Sequence, residues 1–282
     1  MRVMSPQITR YAEQCDDLAK ESVVGRPRPA LRRGEGGFAH GVMLSILCLR
    51  EREDETFRSV VDKLKVMGPI REVLGVERDE LPDPSTVCKA MDRFTMALCR
   101  RLLSESVTLF ELGEVTAIDA SGFDRTAASR RYARRTDYRF LAMKTTLLTD
   151  CESGAILDVH CTMSRPHDTQ IGWQILTRNL DRIDTITADK GYDWAELRTK
   201  LREHGVRPVI KHREFDSLDK AHNARLDDDT YHRRSVVEAS FRLLKQRYGD
   251  RLTTRTWYRQ FRELTLKAAV KNIDTGIGAS HC

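Results

Sequence analysis

The chain of 282 residues carries 48 lysines and arginines against 42 aspartates and glutamates, which gives a formal net charge of +6. Its 40% of hydrophobic residues is enough for a folded core and excludes a wholly disordered protein. The longest apolar run, residues 42–49, is much shorter than the roughly 20 residues that a membrane helix needs, and the start shows no signal-peptide pattern. We therefore expect a cytoplasmic protein that binds no membrane.

The spacing of cysteines and histidines argues against a zinc site or a disulfide framework. The seven cysteines are scattered, odd in number and without a C-x-x-C pair, so we expect reduced and mostly buried thiols. Histidines fall singly on different predicted elements, at His160, His167, His212 and His232. Isolated histidines of this kind are typical of caps, surface groups or phosphate contacts, and we expect no zinc.

Residues 1–112 are predicted to form a small helical domain. An apolar run at residues 38–50 and apolar residues at helical spacing over residues 60–67 indicate two helices. Ser85 is placed to cap a further helix that extends to about Leu102.

From residue 113 onward the pattern changes to short β-prone runs that alternate with helices. The predicted strands are residues 115–120, 140–149, 155–161, 185–188 and 206–210. Asp168 is predicted to cap the first helix and an Asp193-x-x-Glu196 capping box to open the second, while a longer third helix begins at about Ser235.

The order of these elements is β-β-β-α-β-α-β-α. Three strands joined by short turns indicate an antiparallel meander, and the later helical crossovers indicate parallel additions to it. We therefore expect an α/β domain over residues 113–282, with a ribonuclease-H-like mixed sheet of five strands and flanking helices. Element order alone leaves other α/β folds open.

Three acidic residues occupy positions at which an open α/β sheet commonly binds ligands. Asp119 lies near the end of the first predicted strand, Asp189 follows the fourth, and Glu238 lies on the long helix. Clustered carboxylates repel each other unless cations neutralise them, and two Mg²⁺ ions roughly 3.5–4 Å apart both neutralise them and support phosphoryl transfer. Position alone does not separate these acids from aspartates that suit turns or caps, which are Asp124, Asp150, Asp158, Asp168 and Asp193.

Helical spacing favours Glu238 as a member of the site. On one continuous helix, Tyr231, Arg234, Glu238 and Lys245 fall on a narrow stripe beside an apolar stripe that suits packing on the sheet. The acid would then face a cation while its basic neighbours contact phosphates. A solvated helix face with an Arg234–Glu238 pair gives the same pattern, so both interpretations stay open at this point.

Together, these motifs resemble those of the DDE-type insertion-sequence transposases. The pattern Y-x2-R-x3-E-x6-K at residues 231–245 is similar to the Tyr-Arg-Glu-Lys signature of the insertion-sequence-four/five-like group of bacteria and archaea. The segments A-I-D-A-S-G-F around Asp119 and T-A-D-K-G-Y-D around Asp189 resemble the first and second acidic motifs of that family. The resemblance covers roughly residues 113–272.

The resemblance implies a ribonuclease-H-like catalytic core that acts as a DDE transposase on double-stranded DNA, both transposon ends and target. It implies that Asp119, Asp189 and Glu238 are the catalytic residues and the ligands of two Mg²⁺ or Mn²⁺ ions. Water activated by one ion would cut the transposon end, and the freed 3′-OH would attack target DNA. Pairing of two ends implies a homodimer in the synaptic complex, at the nucleoid of a prokaryotic cytoplasm.

Several basic residues are predicted to contact DNA. By the same resemblance, Arg234 and Lys245 would hold backbone phosphates and Tyr231 would position the transposon end. Between the first two strands, an arginine cluster interleaved with tyrosines suits phosphate contacts and base stacking, unless it is only a solvated hairpin. The arginines of this cluster that we assign to DNA are Arg130, Arg131, Arg134 and Arg135. A second basic run, over residues 242–262, can extend the same track.

The helical domain at residues 1–112 is expected to bind the DNA ends, with a helix at residues 85–93 in a groove, or to mediate dimerisation. Two other functions stay open. One is a ribonuclease-H-like nuclease or resolvase that cuts DNA without strand transfer, and the other is a DNA-binding regulator derived from a transposase. Inverted repeats around the gene, bracketed by short direct duplications, would favour transposition.

Overall fold

The computed structural model describes residues 7–24, 39–125, 142–164 and 166–279, and its first part is helical. The helices there are α1 (Gln7–Val23), α2 (His40–Arg52), α3 (Phe57–Val66), α4 (Gly68–Leu74), α5 (Pro84–Arg93) and α6 (Met96–Val107). Their apolar faces build a core that includes Leu44, Ile46, Leu64, Met91 and Leu102. None of the helices in the described ranges has both the length and the apolarity to cross a membrane.

The prediction of one helix from Ser85 to about Leu102 is wrong in two respects. The cap is Asp83, whose side chain accepts the Ser85 N–H at 2.8 Å, and Pro84 occupies the first turn. The helix also ends at Arg93 and a new one begins after Thr95, whose hydroxyl oxygen accepts the Leu98 N–H at 3.2 Å. A threonine that satisfies the first free amides of a helix starts it anew, although the apolar periodicity runs on across the break.

The second part of the chain contains a mixed sheet. Its strands are β1 (Val115–Arg125), β2 (Met143–Asp150), β3 (Ile156–Thr162), β4 (Thr185–Ala188), β5 (Arg207–Ile210) and β6 (Arg251–Leu252). The order is β3-β2-β1-β4-β5, with β1 antiparallel to β2 and parallel to β4. The predicted meander and its parallel additions are confirmed. The sixth strand, β6, pairs with the far end of β1, and its two residues are too few for a periodic signal.

Helices flank this sheet, and two of their predicted caps are wrong. They are α7 (Asp168–Thr177), α8 (Ala195–Glu203), α9 (Ser217–Arg225), α10 (Asp228–His232) and α11 (Ser235–Tyr248), followed by α12 (Trp257–Ala279). The cap of α7 is His167 rather than Asp168, and α8 begins without a side-chain cap. The start of the long helix at Ser235 is confirmed.

The described residues divide into two compact units that differ from the two stretches expected from sequence order. The first unit comprises the chain to Leu109, Arg247–Gly249 and the segment from Tyr258 onward, and the second comprises Phe110–Gln246 and Asp250–Trp257. The division near residue 110 is close to the expected boundary at residues 112 and 113. The helix α12, however, groups with the N-terminal helices rather than with the sheet.

The composition of α12 explains this grouping. Apolar residues are buried along its length, among them Leu264, Leu266, Ala269 and Ile273. Within the first unit, Arg259 is ion-paired with Asp92, and Arg262 donates to the backbone oxygen of Met91 at 2.6 Å. A helix that is buried along its length needs packing partners on several sides, and chain order does not say which elements supply them.

Candidate active site

Two of the three predicted acids lie side by side in the sheet region, Asp119 on β1 and Asp189 directly after its parallel neighbour β4. The pairing of β1 with β4 places Ile118 opposite Ala188. Asp119 and Asp189 are the residues that directly follow this pair along the two strands. Asp119 is not at a strand end as expected, because β1 continues against β2 to Arg125. The parallel partner β4 is the strand that ends here, which opens the edge of the sheet beside Asp119.

The third acid, Glu238, lies in the first turn of α11. Its side chain is 52% exposed, and its Oε1 accepts a hydrogen bond from Nη1 of Arg234 at 2.6 Å. This is the i,i+4 pair that an ordinary solvated helix face would also show. The position of Glu238 in the site therefore depends on its relation to the other acids rather than on this pair.

The pKa of Asp119 indicates that Glu238 lies near the other two acids. The pKa of Asp119 is raised to about 6, first by burial and further by the negative charges of Asp189 and Glu238. The backbone N–H of Ala120 and the positive charge of Arg234 act in the opposite direction. Because charges influence a pKa only over short distances, the fold brings the three predicted acids into one neighbourhood.

The chemistry of these carboxylates fits a hard divalent cation, since oxygen ligands and the relief of mutual repulsion are what such an ion requires. The side chains do not converge on one point: over the ranges that the structure describes, no group of three or more His, Cys, Asp or Glu residues is placed to hold a metal ion. Glu238 is turned to Arg234, and Asp189 is engaged by a backbone amide. Joint ligation therefore requires Glu238 to leave Arg234.

The turn after β4 is built around the carboxylate of Asp189. Its Oδ1 accepts the N–H of Gly191 at 2.8 Å and caps a short 3-10 turn, Lys190–Tyr192. A Cβ at position 191 would lie 2.7 Å from that oxygen, so only glycine fits without displacing the acid. Tyr192 is 1% exposed and packs where a Cβ on Gly172 of α7 would touch its ring at 3.0 Å. The D-K-G-Y motif thus holds Asp189 in position.

Asp193, predicted to form a capping box with Glu196, has a different role. Its carboxylate accepts Nη1 of Arg198 at 2.5 Å and the backbone N–H of Arg213 at 2.6 Å. The carboxylate therefore binds a nearly buried guanidinium and an amide remote in sequence, and it does not cap the start of α8. Asp193 therefore links the turn after β4 to the segment after β5, which the spacing of a local motif does not reveal.

The four signature residues do not lie on one continuous helix. Tyr231 belongs to α10, and α11 begins only at Ser235. The Tyr231 ring is 7% exposed, with Nζ of Lys211 at 4.3 Å from its centroid and the guanidinium carbon of Arg234 at 5.3 Å. The ring is therefore placed to hold two cations by cation–π attraction and offers little free surface.

Lys245 lies on the same face of β1 as Asp119. Its Nζ donates to Oγ of Ser121 at 2.8 Å and stands 5.3 Å from the ring centroid of Phe123. Asp119, Ser121 and Phe123 alternate along the strand and share one face. Ser121 was missed at the level of sequence, although its spacing of two from Asp119 carries this information.

Three of the other aspartates have partners in the protein, and of these only Asp150 is a turn residue as expected, since Asp158 lies within β3 and Asp168 does not cap α7. Asp150 accepts backbone N–H groups in the turn after β2. Asp158 is paired with Arg178 at 2.7 Å, and Asp168 with Lys144 at 2.7 Å. These acids have protein partners that account for them.

The structure describes only one of the two basic segments that are predicted to contact DNA. The arginine cluster of Arg130, Arg131, Arg134 and Arg135 lies outside the described residues. In the second basic run, Arg259 and Arg262 bind groups of α5 in the first unit, and Arg247 lies 3.4 Å from Asp274 of α12. These arginines stabilise the helical unit, which leaves them less available to DNA.

Residues 111–273 match the family described as "Transposase DDE domain". The matched segment covers more than half of the chain and contains all three acids. The chain belongs to this family of DDE transposases. Such transposases are phosphoryl-transfer enzymes that cleave DNA, and they generally use divalent metal ions.

One solved structure that is similar to this transposase bears on its fold. The piggyBac transposase in its synaptic complex with hairpin DNA, solved by cryo-EM, is 12% identical, with a TM-score of 0.51 over 99% of this chain and 76% of that one. Together with the strand order, this similarity confirms the predicted ribonuclease-H-like fold. No curated protein matches the sequence significantly.

Two further structures match at lower similarity. The simian T-cell lymphotropic virus intasome in complex with the PP2A regulatory subunit B56 gamma is 14% identical, with a TM-score of 0.29 over 68% of this chain and 63% of that one. A pre-cleavage Mos1 transpososome is 9% identical, with a TM-score of 0.24 over 99% of both chains. TM-scores this low carry no argument for the present chain.

Proposed function

We propose that this transposase binds the terminal inverted repeats of an insertion sequence, cleaves the DNA at the transposon end and transfers the freed strand to target DNA. We place it in the insertion-sequence-four/five-like group, with the Tyr-Arg-Glu-Lys signature at residues 231–245. The observation that carries the proposal is that Asp119 and Asp189 lie side by side on β1 and directly after β4, in a chain of the DDE family. The negative charge of Glu238, on α11, adds to the rise in the pKa of Asp119.

Asp119, Asp189 and Glu238 are the proposed ligands of two Mg²⁺ or Mn²⁺ ions. When bound, such ions would activate a water molecule and stabilise the charge that develops on the phosphoryl group. The protein contributes a strand that fixes Asp119, a turn that fixes Asp189, and a helix whose exposed Glu238 has freedom to change partners. Departure of Glu238 from Arg234 would free that guanidinium for a DNA phosphate.

The basic residues of the signature have distinct proposed roles. Lys245 is anchored by Ser121 beside Asp119, so its ammonium is placed to contact a backbone phosphate near the reacting one. Arg234 would contact a phosphate once Glu238 has moved. Tyr231 would position the transposon end indirectly, because its buried ring steadies Arg234 and Lys211.

Double-stranded DNA is the proposed partner, both as transposon end and as target, and two ends would be held by a homodimer. The helical region at residues 1–112 would recognise the ends or mediate dimerisation, and Arg130, Arg131, Arg134 and Arg135 would add backbone contacts. We expect the protein to act at the nucleoid in a prokaryotic cytoplasm.

Replacement of single acids tests the proposal. Asp119→Asn, Asp189→Asn and Glu238→Gln should each lower Mg²⁺-dependent cleavage of a duplex that carries the transposon end by on the order of 10³-fold or more, while binding largely survives. Asp124→Asn is the matched control, because it removes an exposed carboxylate from the same strand at an opposite-face position. Cleavage and binding are measured on gels with an end-labelled duplex.

Full cleavage by any of the three variants would contradict the assignment of that acid. Cleavage without joining of the cut end to target DNA by the unaltered protein would instead identify a nuclease or resolvase. Binding without cleavage by the unaltered protein would identify a regulator derived from a transposase.

A further inference from the structure

His167 and Arg213 lie near the turn that holds Asp189, and neither belongs to the signature segment at residues 231–245. His167 caps α7, and Arg213 follows β5. Nη2 of Arg213 lies 3.4 Å from Nε2 of His167. The Nε of the same guanidinium donates to the backbone oxygen of Lys190 at 3.0 Å, one residue after Asp189. The pair is therefore tied directly to the turn that holds Asp189.

Both ring nitrogens of His167 have polar neighbours, and Nδ1 lies 3.0 Å from Oγ1 of Thr169. Its Nδ1 accepts the N–H of Thr169 as the cap of α7, at 3.4 Å. In the neutral tautomer whose Nδ1 accepts, the ring proton is on Nε2, whereas in the other tautomer Nδ1–H donates to Oγ1 of Thr169 and Nε2 accepts from Arg213. In the first tautomer, the Nε2–H of His167 and the Nη2–H of Arg213 are two donors that face each other. One oxygen of an anion would accept both bonds and remove the conflict.

The pair also differs from neighbouring cations in its lack of an acidic partner. Lys190 is paired with Glu214 at 2.8 Å, Lys144 with Asp168 at 2.7 Å and Arg198 with Asp193 at 2.5 Å. Among the residues that the structure describes, neither Arg213 nor His167 forms an ion pair with a carboxylate. Arg213 does receive positional support, since its own backbone N–H is held by Asp193 at 2.6 Å. The guanidinium is thus positioned but not neutralised.

We propose that His167 and Arg213 bind a backbone phosphate of the DNA substrate, next to Asp189. This inference rests on the proposed function. The signature residues would hold the strand from Arg234, just before α11, and from Lys245 on α11, and the His167–Arg213 pair would hold it from the start of α7 and the segment after β5. The strand would therefore lie across the acids with a phosphate contact on each side. Guanidinium binds phosphate through paired N–H donors, which suits Arg213 to this role.

The salt dependence of DNA binding tests the proposal, since each neutralised phosphate contributes about 0.9 to the slope of log K against log salt on duplex DNA. The full chain is titrated into a fluorescent duplex that carries the transposon end, over a range of KCl concentrations. Arg213→Gln should lower the slope by about one unit relative to the unaltered protein. Arg202→Gln is the control, because it removes an exposed arginine from α8 of the same unit and should leave the slope within experimental error.

Two further variants separate a phosphate contact from a structural role. Arg213→Lys keeps the charge and should largely restore the slope, although it loses the planar donor pair and should bind more weakly than the unaltered protein. His167→Asn keeps a side-chain cap for α7 but removes the Nε2–H, so affinity should fall while the thermal unfolding midpoint stays close to that of the unaltered chain.

An unchanged slope in Arg213→Gln, with salt-dependent binding intact in the unaltered protein, would overturn this inference and leave the proposed function standing. An equal loss of slope in Arg202→Gln would also overturn it, since the effect would then reflect net charge alone. Failure of the unaltered protein to bind the duplex at any salt concentration would contradict the proposed function itself.

Discussion

At the scale of single residues, Gly191 shows how closely the backbone and a functional side chain are fitted. Its amide holds Asp189, and its lack of a Cβ leaves room for the same carboxylate. The D-K-G-Y spacing marked this turn as part of a motif, but the reason for the glycine depends on where the Asp189 oxygen points. Likewise, the contact between His167 and Arg213 joins residues remote in sequence, so no local pattern identifies this pair.

Gly191→Ala should displace the Asp189 carboxylate, because the new Cβ would lie 2.7 Å from Oδ1. A misplacement of about 1 Å in a catalytic group costs on the order of 10²-fold in rate, and we expect a loss of that size in Mg²⁺-dependent cleavage. The control is Gly278→Ala on α12, where a Cβ would meet nothing within 4 Å. Equal cleavage rates for the two variants would show that the Asp189 position is not critical.

At the scale of elements, alternation of apolar and polar residues and short apolar runs identified the strands β1 to β5. A strand buried on one face alternates in hydrophobicity, and a strand buried on both faces is apolar throughout. Helix starts were predicted less well. The caps of α5, α7 and α8 depend on which polar group accepts hydrogen bonds from the first amides of the helix. Asp193 instead accepts hydrogen bonds from Arg198 and Arg213. The break between α10 and α11 likewise interrupts a stripe that is periodic in sequence.

At the scale of the whole molecule, the sheet unit and the helical unit are not two consecutive stretches of chain. The last helix, α12, returns to the N-terminal helices, and its buried polar residues include Glu263 and Lys267. Packing of a helix buried along its length is a property of the assembled fold, so sequence order did not predict this return. The charged interior makes the stability of the helical unit depend on pH.

Glu51 of α2 contributes to this pH dependence. Burial raises the pKa of Glu51 to about 7, the charge of Arg50 opposes the rise and the charge of Glu263 adds to it. A raised carboxyl pKa stabilises the fold below the unfolded-state pKa near 4.5, and this contribution is lost as the pH rises through about 7. Glu51→Gln should remove the titration, so its stability relative to the unaltered chain should rise by ~2–3 kcal/mol between pH 4.5 and pH 8. Urea unfolding at both pH values measures this difference, and a constant difference would show that Glu51 ionises normally.

We propose that Asp119, Asp189 and Glu238 act together as one cation site. Mn²⁺ binding, counted from the loss of the free-ion signal in electron paramagnetic resonance, tests it most directly with the full chain bound to transposon-end DNA. We expect two ions per chain for the unaltered protein and for Asp124→Asn, and at least one fewer for Asp119→Asn. The same count of bound ions in Asp119→Asn as in the unaltered protein would contradict the site.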